Sequence, residues 1–235
     1  LGLPSSSSHA LIGGLIGPVL IAYGPDKIMW KGVIFIFASL ILSPVIGMFF
    51  GWLFFKITRF TAEKIHATPS ANYFFNKMQV VSSCLALSHG ANDAQKSMGV
   101  IAMSLVILGI LPSFEIPVWV VASCAGAIAA GCATGGWRII KTMGAKICRL
   151  RSVHAFCSQT ASASVILSAA LIGGPVSTTH VVSASIIGAG AGQRVSAVRW
   201  GVAKDIVAAW FITIPAAAIM ASLAFIVIRT IDSSY

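Results

Sequence analysis

Only six of the 235 residues are acidic, and charged residues of both signs make up 9% of the chain. A soluble domain carries about 25%. With 57% hydrophobic residues and a mean hydropathy of +0.91, this chain could not keep a folded surface wet. The shortage of charge therefore excludes a soluble globular domain and points to a multi-pass integral membrane protein. Alternating segments of about ten residues are missing too, which argues against a membrane barrel. The five cysteines (Cys84, Cys124, Cys132, Cys148, Cys157) form no CxxC pair and lie mostly in apolar segments. Neither a disulfide framework nor a zinc site is suggested. The chain has no initiator Met and opens inside a polar motif, so an N-terminally incomplete chain is expected. What is abundant is glycine, 22 residues, and glycine is frequent in membrane helices. The fold class expected is an all-α membrane protein.

The net charge of +10 is concentrated in short loops between apolar segments. That distribution reads as orientation signalling, with lipid rather than nucleic acid as the partner. Candidate spans are 32–55, 80–110, 118–137 and 200–228. Shorter arms, rich in Ser, Ala and Gly, run over 10–23, 155–172 and 179–192. Lys56, Arg59, Lys64 and Lys77 mark one cytoplasmic loop, with Glu63 its sole acid. The basic run 138–151 marks another and reads as a solvated topology signal. The 112–117 loop, carrying only Glu115, falls outside; Lys27 and Lys31 run against this bias. The 31 residues of 80–110 would extend about 46 Å as one helix, against a hydrocarbon core of about 30 Å. A broken helix is expected there, unwound at "SHGANDAQKSMG". A re-entrant hairpin is expected over 155–192, with "GGPVSTTH" at its tip. Lys204 and Asp205 read as an interfacial ion pair.

Two polar knots resemble each other: "LGLPSSSSHALIGGLIG" at 1–17 and "GGPVSTTHVVSASIIG" at 173–188. An offset of 171 aligns Gly2 with Gly173, Pro4 with Pro175, Ser6 with Ser177, His9 with His180 and Gly17 with Gly188. It also carries Pro44 onto Pro215, without a gap. The span after the first knot runs toward a basic loop and the span after the second runs away from one, so the copies face opposite ways. Inverted repeats with broken helices are a transporter signature. The domains expected are the end of a first repeat over 1–60, a basic linker over 61–79, and a second repeat over 80–235. The offset places a partner of Asp93 roughly 80 residues ahead of Leu1.

A half-helix starting near Ser177 turns unpaired N–H groups and a positive dipole end toward the tip, where an anion is held. Ser177, Thr178 and Thr179 add hydroxyl donors without charge. Helix capping alone is the plainer reading of one such motif; the second copy favours a binding site. His9 and His180 share a helix face with Ser6 and Ser177 and could orient those hydroxyls, or simply bind a backbone carbonyl. Asp93, beside Asn92 and Gly90, is a carboxylate inside a span and thus a functional candidate, suited to Na⁺ or H⁺. A pair with Lys96 is the structural alternative. Gln159, Thr160 and Ser162 lie on the first arm of the hairpin.

These motifs, "GANDAQKSMG" and "PVSTTH" with the weaker "PSSSSH", resemble the inorganic phosphate transporter (PiT) family. The resemblance covers nearly the whole chain and three of the four motifs expected. It implies a secondary transporter that imports phosphate by symport with Na⁺ or H⁺, with no other cofactor. It places Ser6, Ser7, Ser8, Asn92, Ser177, Thr178 and Thr179 at the substrate, and Asp93, Asn92 and Gln159 at the coupling cation. Asp93 would be the Na⁺ contact in a sodium-coupled protein. Two departures stand out. The first copy has serines where the family favours S-T-T, and Gln159 stands where many relatives carry Glu. The resemblance leaves sulfate open as the anion, and the coupling ion and a homodimer open as well. In a bacterium the location would be the plasma (inner) membrane. The rival class is an intramembrane serine hydrolase using Ser177 and His180; the missing G-x-S-x-G elbow counts against it.

Overall fold

Each half of the chain makes a short helix that turns abruptly into a long one. A computed structural model of the chain describes residues 4–64 and 71–232. The Gly2–Gly173 match and residues 65–70 of the linker lie outside the described residues. The helices are α1 (Ser7–Tyr23), α2 (Trp30–Lys64), α3 (Ala71–Ile107), α4 (Val118–Gly135), α5 (Trp137–Lys141), α6 (Ser152–Ile172), α7 (Thr178–Gln193) and α8 (Trp200–Asp232). Among the described residues the only β pairing is an isolated bridge between Cys148 and Val198. Among the described residues four helices are long and apolar enough to cross a membrane: Trp30–Lys64, Val118–Gly135, Ser152–Ile172 and Trp200–Ile231. The all-α expectation holds. Helices enter the 61–79 linker from both sides, to Lys64 and from Ala71.

Local chemistry explains the short helices. Ser6 and Ser177 sit as N-caps in extended conformation, and each hydroxyl accepts the backbone N–H three residues on. That satisfies one of the orphan donors of a helix start. α6 ends where Gly173 turns left-handed, at φ 74°. Gly174 N–H then closes back on the Ala169 carbonyl at 2.8 Å, and Pro175 blocks further helix. α6 and α7 pack together on either side of this turn, as expected of the hairpin.

The short helices pack crosswise. α7 lies along α2, and α1 lies along α8. Both contacts are made by small residues that let backbones touch, the usual device of membrane helices. A Cβ on Gly17 would collide with the Ala218 carbonyl, and one on Gly188 with the Met48 carbonyl. Ser185 adds a hydrogen bond to the Gly47 carbonyl at 3.1 Å. Both turns carry the same lock: Trp30 Nε1 donates to Pro25 O and Trp200 Nε1 to Val195 O, each at 3.1 Å. These two locks are 170 residues apart, not 171. α7 is one residue shorter than α1, with 16 against 17 residues, so the gap-free alignment is corrected here. The register of 171 returns at Pro44 and Pro215.

Two expectations fail. α3 is one continuous helix of 37 residues through "SHGANDAQKSMG". Gly90 costs a helix only about 1 kcal/mol relative to Ala, and the polar groups of the motif pair within the helix at i,i+3 and i,i+4 spacing. Nothing forces unwinding, and a helix of about 55 Å overshoots the hydrocarbon instead. Lys204 and Asp205 form no ion pair, because adjacent helix residues diverge around the axis; the ion pairs among the described residues are elsewhere.

Close helix contact predicts a contrast between two glycines. Gly188→Ala should destabilise the protein by about 1 to 3 kcal/mol, because its Cβ meets backbone that cannot yield. Gly14→Ala, with open space around it, should leave stability unchanged or raise it by up to about 1 kcal/mol. Thermal unfolding in detergent checks both, and equal midpoints would remove the contact from the account.

Candidate functional site

The two capped helix starts meet. Ser6 Oγ and Ser177 Oγ lie 2.8 Å apart, both buried. Ser8 Oγ donates to the Val176 carbonyl at 3.4 Å, tying α1 to the hairpin tip. The positive ends of α1 and α7 therefore converge on one point, where the first N–H groups of each helix have no place in its own ladder.

From that point α7 reaches α3. Thr178 Oγ1 donates to both carboxylate oxygens of Asp93, at 3.2 and 3.3 Å. Asp93 also takes Lys96 Nζ at 2.8 Å and His89 Nε2 at 3.3 Å. The Asp93–Lys96 pair that stood as the structural alternative is thus present, together with a hydroxyl from another helix. Asn92 is buried next to Asp93, and its Nδ2 has no hydrogen-bond partner among the described residues.

Behind the serines, the His9 and His180 rings lie 4.5 Å apart, and His180 stacks on Trp210 of α8 at 3.7 Å. The backbone N–H of each histidine, rather than its ring, meets the capping serine. His9 Nδ1 and Trp210 Nε1 are buried without a hydrogen-bond partner among the described residues, and the buried His180 ring faces the Leu40 backbone. Unpaired buried donors cost about 1 to 3 kcal/mol each, so this centre is costly as it stands. It is suited to water or a polar guest.

The remaining candidates sit apart. Ser7 is exposed at the start of α1, and Thr179 is half-buried on α7. Gln159 Oε1 accepts from Ser82 Oγ at 2.5 Å. Ser82 lies 11 residues before Asp93 on the same helix, roughly 16 Å away. The structure does not bring Gln159 to the serine–aspartate cluster. Ser162 is buried and donates to its own helix at Ser158, and Thr160 likewise to Phe156. His89 and Trp210 were missed by the sequence reading. The i,i+4 spacing of His89 and Asp93 could have signalled the first. Trp210 has no counterpart, because the offset of 171 lands on Ser39.

Among the described residues no group of three or more His, Cys, Asp or Glu could hold a metal ion. A monovalent cation at Asp93 would take its other ligands from neutral oxygens. The hydrolase arrangement is not formed. Ser177 Oγ engages Ser6 and the His180 backbone, while the His180 ring stacks on tryptophan and makes no bond to that hydroxyl. A nucleophile needs a base within reach.

Two helix starts converging on a hydroxyl cluster beside a half-buried acid, inside a bundle with apolar outer faces, define a membrane transporter rather than an enzyme. The comparisons with known proteins agree. Residues 1–221 match the phosphate transporter family, and the chain belongs to that family. It is 46% identical over 234 residues to a probable low-affinity inorganic phosphate transporter of Rhizobium meliloti (strain 1021), covering 95% of this chain and 67% of that protein. It is 40% identical over 232 residues to a protein so described from Bacillus subtilis (strain 168), covering 98% of this chain and 69% of that protein. A solved structure described as the sodium-dependent phosphate transporter shares the fold, with a TM-score of 0.82 at 24% identity. The match covers 98% of this chain and 75% of that one.

The occupied Ser177 hydroxyl predicts inertness toward serine-hydrolase probes. A fluorophosphonate should leave Ser177 unmodified in the folded protein, read by mass spectrometry of the tryptic peptides. Stoichiometric labelling would restore the hydrolase reading.

Proposed function

We propose that the chain moves inorganic phosphate inward across a plasma membrane by symport with Na⁺ or H⁺. In this reading Ser6, Ser7, Ser8, Asn92, Ser177, Thr178 and Thr179 bind the anion. Asp93 and Asn92 hold the cation, while His9 and His180 keep the two helix starts in place. Gln159 would contribute to coupling from its own polar spot with Ser82. The halves 1–60 and 80–235 act as an inverted repeat. The crosswise packing of α1 on α8 and α7 on α2, with matching caps and tryptophan locks, supports that arrangement.

The observation that carries the proposal is the hydrogen bond from Thr178 to Asp93. One side chain joins the helix start facing the anion to the acid suited to the cation. Phosphate is an anion, and each net negative charge moved into a negative interior costs about 2.3 kcal/mol per 100 mV. Concentrative uptake therefore needs cation and anion bound together. By linkage, each ligand then tightens the other by the same factor.

Two variants test this. Thr178→Val keeps the shape and removes the hydroxyl. Losing one hydrogen bond to a charged group costs about 1.5 to 3 kcal/mol, or roughly 10- to 150-fold in apparent phosphate affinity. Labelled-phosphate uptake with sulfate as competitor measures the loss and the anion preference together. Unchanged affinity in a folded variant removes Thr178 from the site. Asp93→Asn should abolish gradient-driven accumulation. It also strips Lys96 of its carboxylate, so the Asp93→Asn/Lys96→Gln double variant is needed to hold the local charge balance. Accumulation with undiminished dependence on Na⁺ or pH in both variants would contradict the cation assignment.

A further inference from the structure

A second polar concavity lies at the other end of α7, about 24 Å along the helix from Thr178. It is a cavity of about 300 Å³, at the small end of the range for small-molecule sites. Four arginines line it from three chain segments: Arg149 and Arg151 ahead of α6, Arg194 at the end of α7, and Arg199 before α8. No acid lines it, and none of the four arginines forms an ion pair among the described residues. His154 and Cys148 form a buried part of the floor. His154 Nε2 bonds Gln193 Oε1 at 3.0 Å, Cys148 is 2% exposed, and Gly190 packs against Cys148. The segments are held in register by the Cys148–Val198 bridge and by the Arg199 N–H on the Ile147 carbonyl at 2.8 Å.

An orientation signal needs positive charge in a loop, not a shape. Here two of the five basic residues of the 138–151 run, Arg149 and Arg151, line one concavity together with Arg194 and Arg199, all four of them exposed to solvent. Like charges gathered around a concave wall repel one another unless an anion sits between them, and a cleft focuses their field. Guanidinium groups match the oxygens of a phosphate group, with two parallel bonds each.

We propose that this cavity binds a phosphate-bearing polyanion on the basic, cytoplasmic face, distinct from the anion path at Ser6 and Ser177. The shared chemistry is a phosphate ester or anhydride. Its source is either a free polyphosphate or the headgroup of an anionic phospholipid. The ligand would clamp the C-terminal end of α7 to the starts of α6 and α8, and so act on the helix whose other end carries Thr178.

The test uses the full chain, purified and placed in phosphatidylcholine nanodiscs. In one arm, inorganic tripolyphosphate is titrated and thermal stabilisation is read. In the other, phosphatidylglycerol is added to the disc and lipid retention is read by native mass spectrometry. The paired variant Arg151→Gln/Arg194→Gln should weaken the response roughly tenfold or more. Ser196→Asp, which adds an acid at the cavity wall, should do the same with every arginine retained. Acids contribute little to topology, so Ser196→Asp separates binding from membrane orientation. Thr178→Val should leave the response intact. A response to tripolyphosphate assigns a free anion, and a response to phosphatidylglycerol alone assigns a headgroup. If both probes act equally on wild type and on folded Ser196→Asp, or on neither, the site is overturned.

Discussion

A carboxylate placed among apolar helices has to be satisfied where it stands, and Asp93 is satisfied from two directions. Lys96 and His89 reach it along its own helix, and Thr178 reaches it from α7. Asp93 is only half-buried, its side chain 24% exposed, and the Thr178 hydroxyl is what ties it to α7. α3 can stay helical through its polar motif because the acid is paired locally. The start of α7 is pinned because its first residue is used to complete the same acid. Ser177, one residue earlier, is thereby presented to Ser6 of the other short helix.

Pinning the tip is useful only if the rest of α7 is fixed, and small residues do that. Without a hydrophobic force between helices in lipid, packing and hydrogen bonds must hold them. Gly188 rests against the Met48 backbone and Ser185 bonds the Gly47 carbonyl. α1 repeats the device against α8 with Gly13 and Gly17. The two helix starts are thus aimed at each other by contacts along their whole lengths. Among the described residues the polar centre keeps histidine, tryptophan and asparagine nitrogens without hydrogen-bond partners.

Much of this was readable from residue order. The serines that follow Pro4 and Pro175 marked both caps, the "GGPVSTTH" stretch marked the hairpin tip, and the offset of 171 paired Ser6 with Ser177. What failed was inference from length. The excess of 80–110 over a membrane's thickness suggested a break, whereas His89, Asp93 and Lys96 at helical spacing already made an unbroken helix self-sufficient. Long-range partners outside the repeat could not be read. Nothing in the sequence places Trp210 on His180, or sets Gln159 on Ser82 rather than near Asp93. The single-residue slip between the two tryptophan locks was hidden as well, because Pro44 and Pro215 restore the offset beyond it.

The account turns on one link, a hydroxyl on the anion side bonded to the acid on the cation side. A double-mutant cycle of Thr178→Val and Asp93→Asn tests that link most directly, read as phosphate binding with and without saturating Na⁺ or at two pH values. Residues sharing a hydrogen bond couple by about 0.5 to 3 kcal/mol. The account predicts that the two losses are not additive, and that the coupling disappears when the cation is withheld. Strict additivity, with Thr178→Val costing the same affinity whether or not Asp93 is intact, would contradict it.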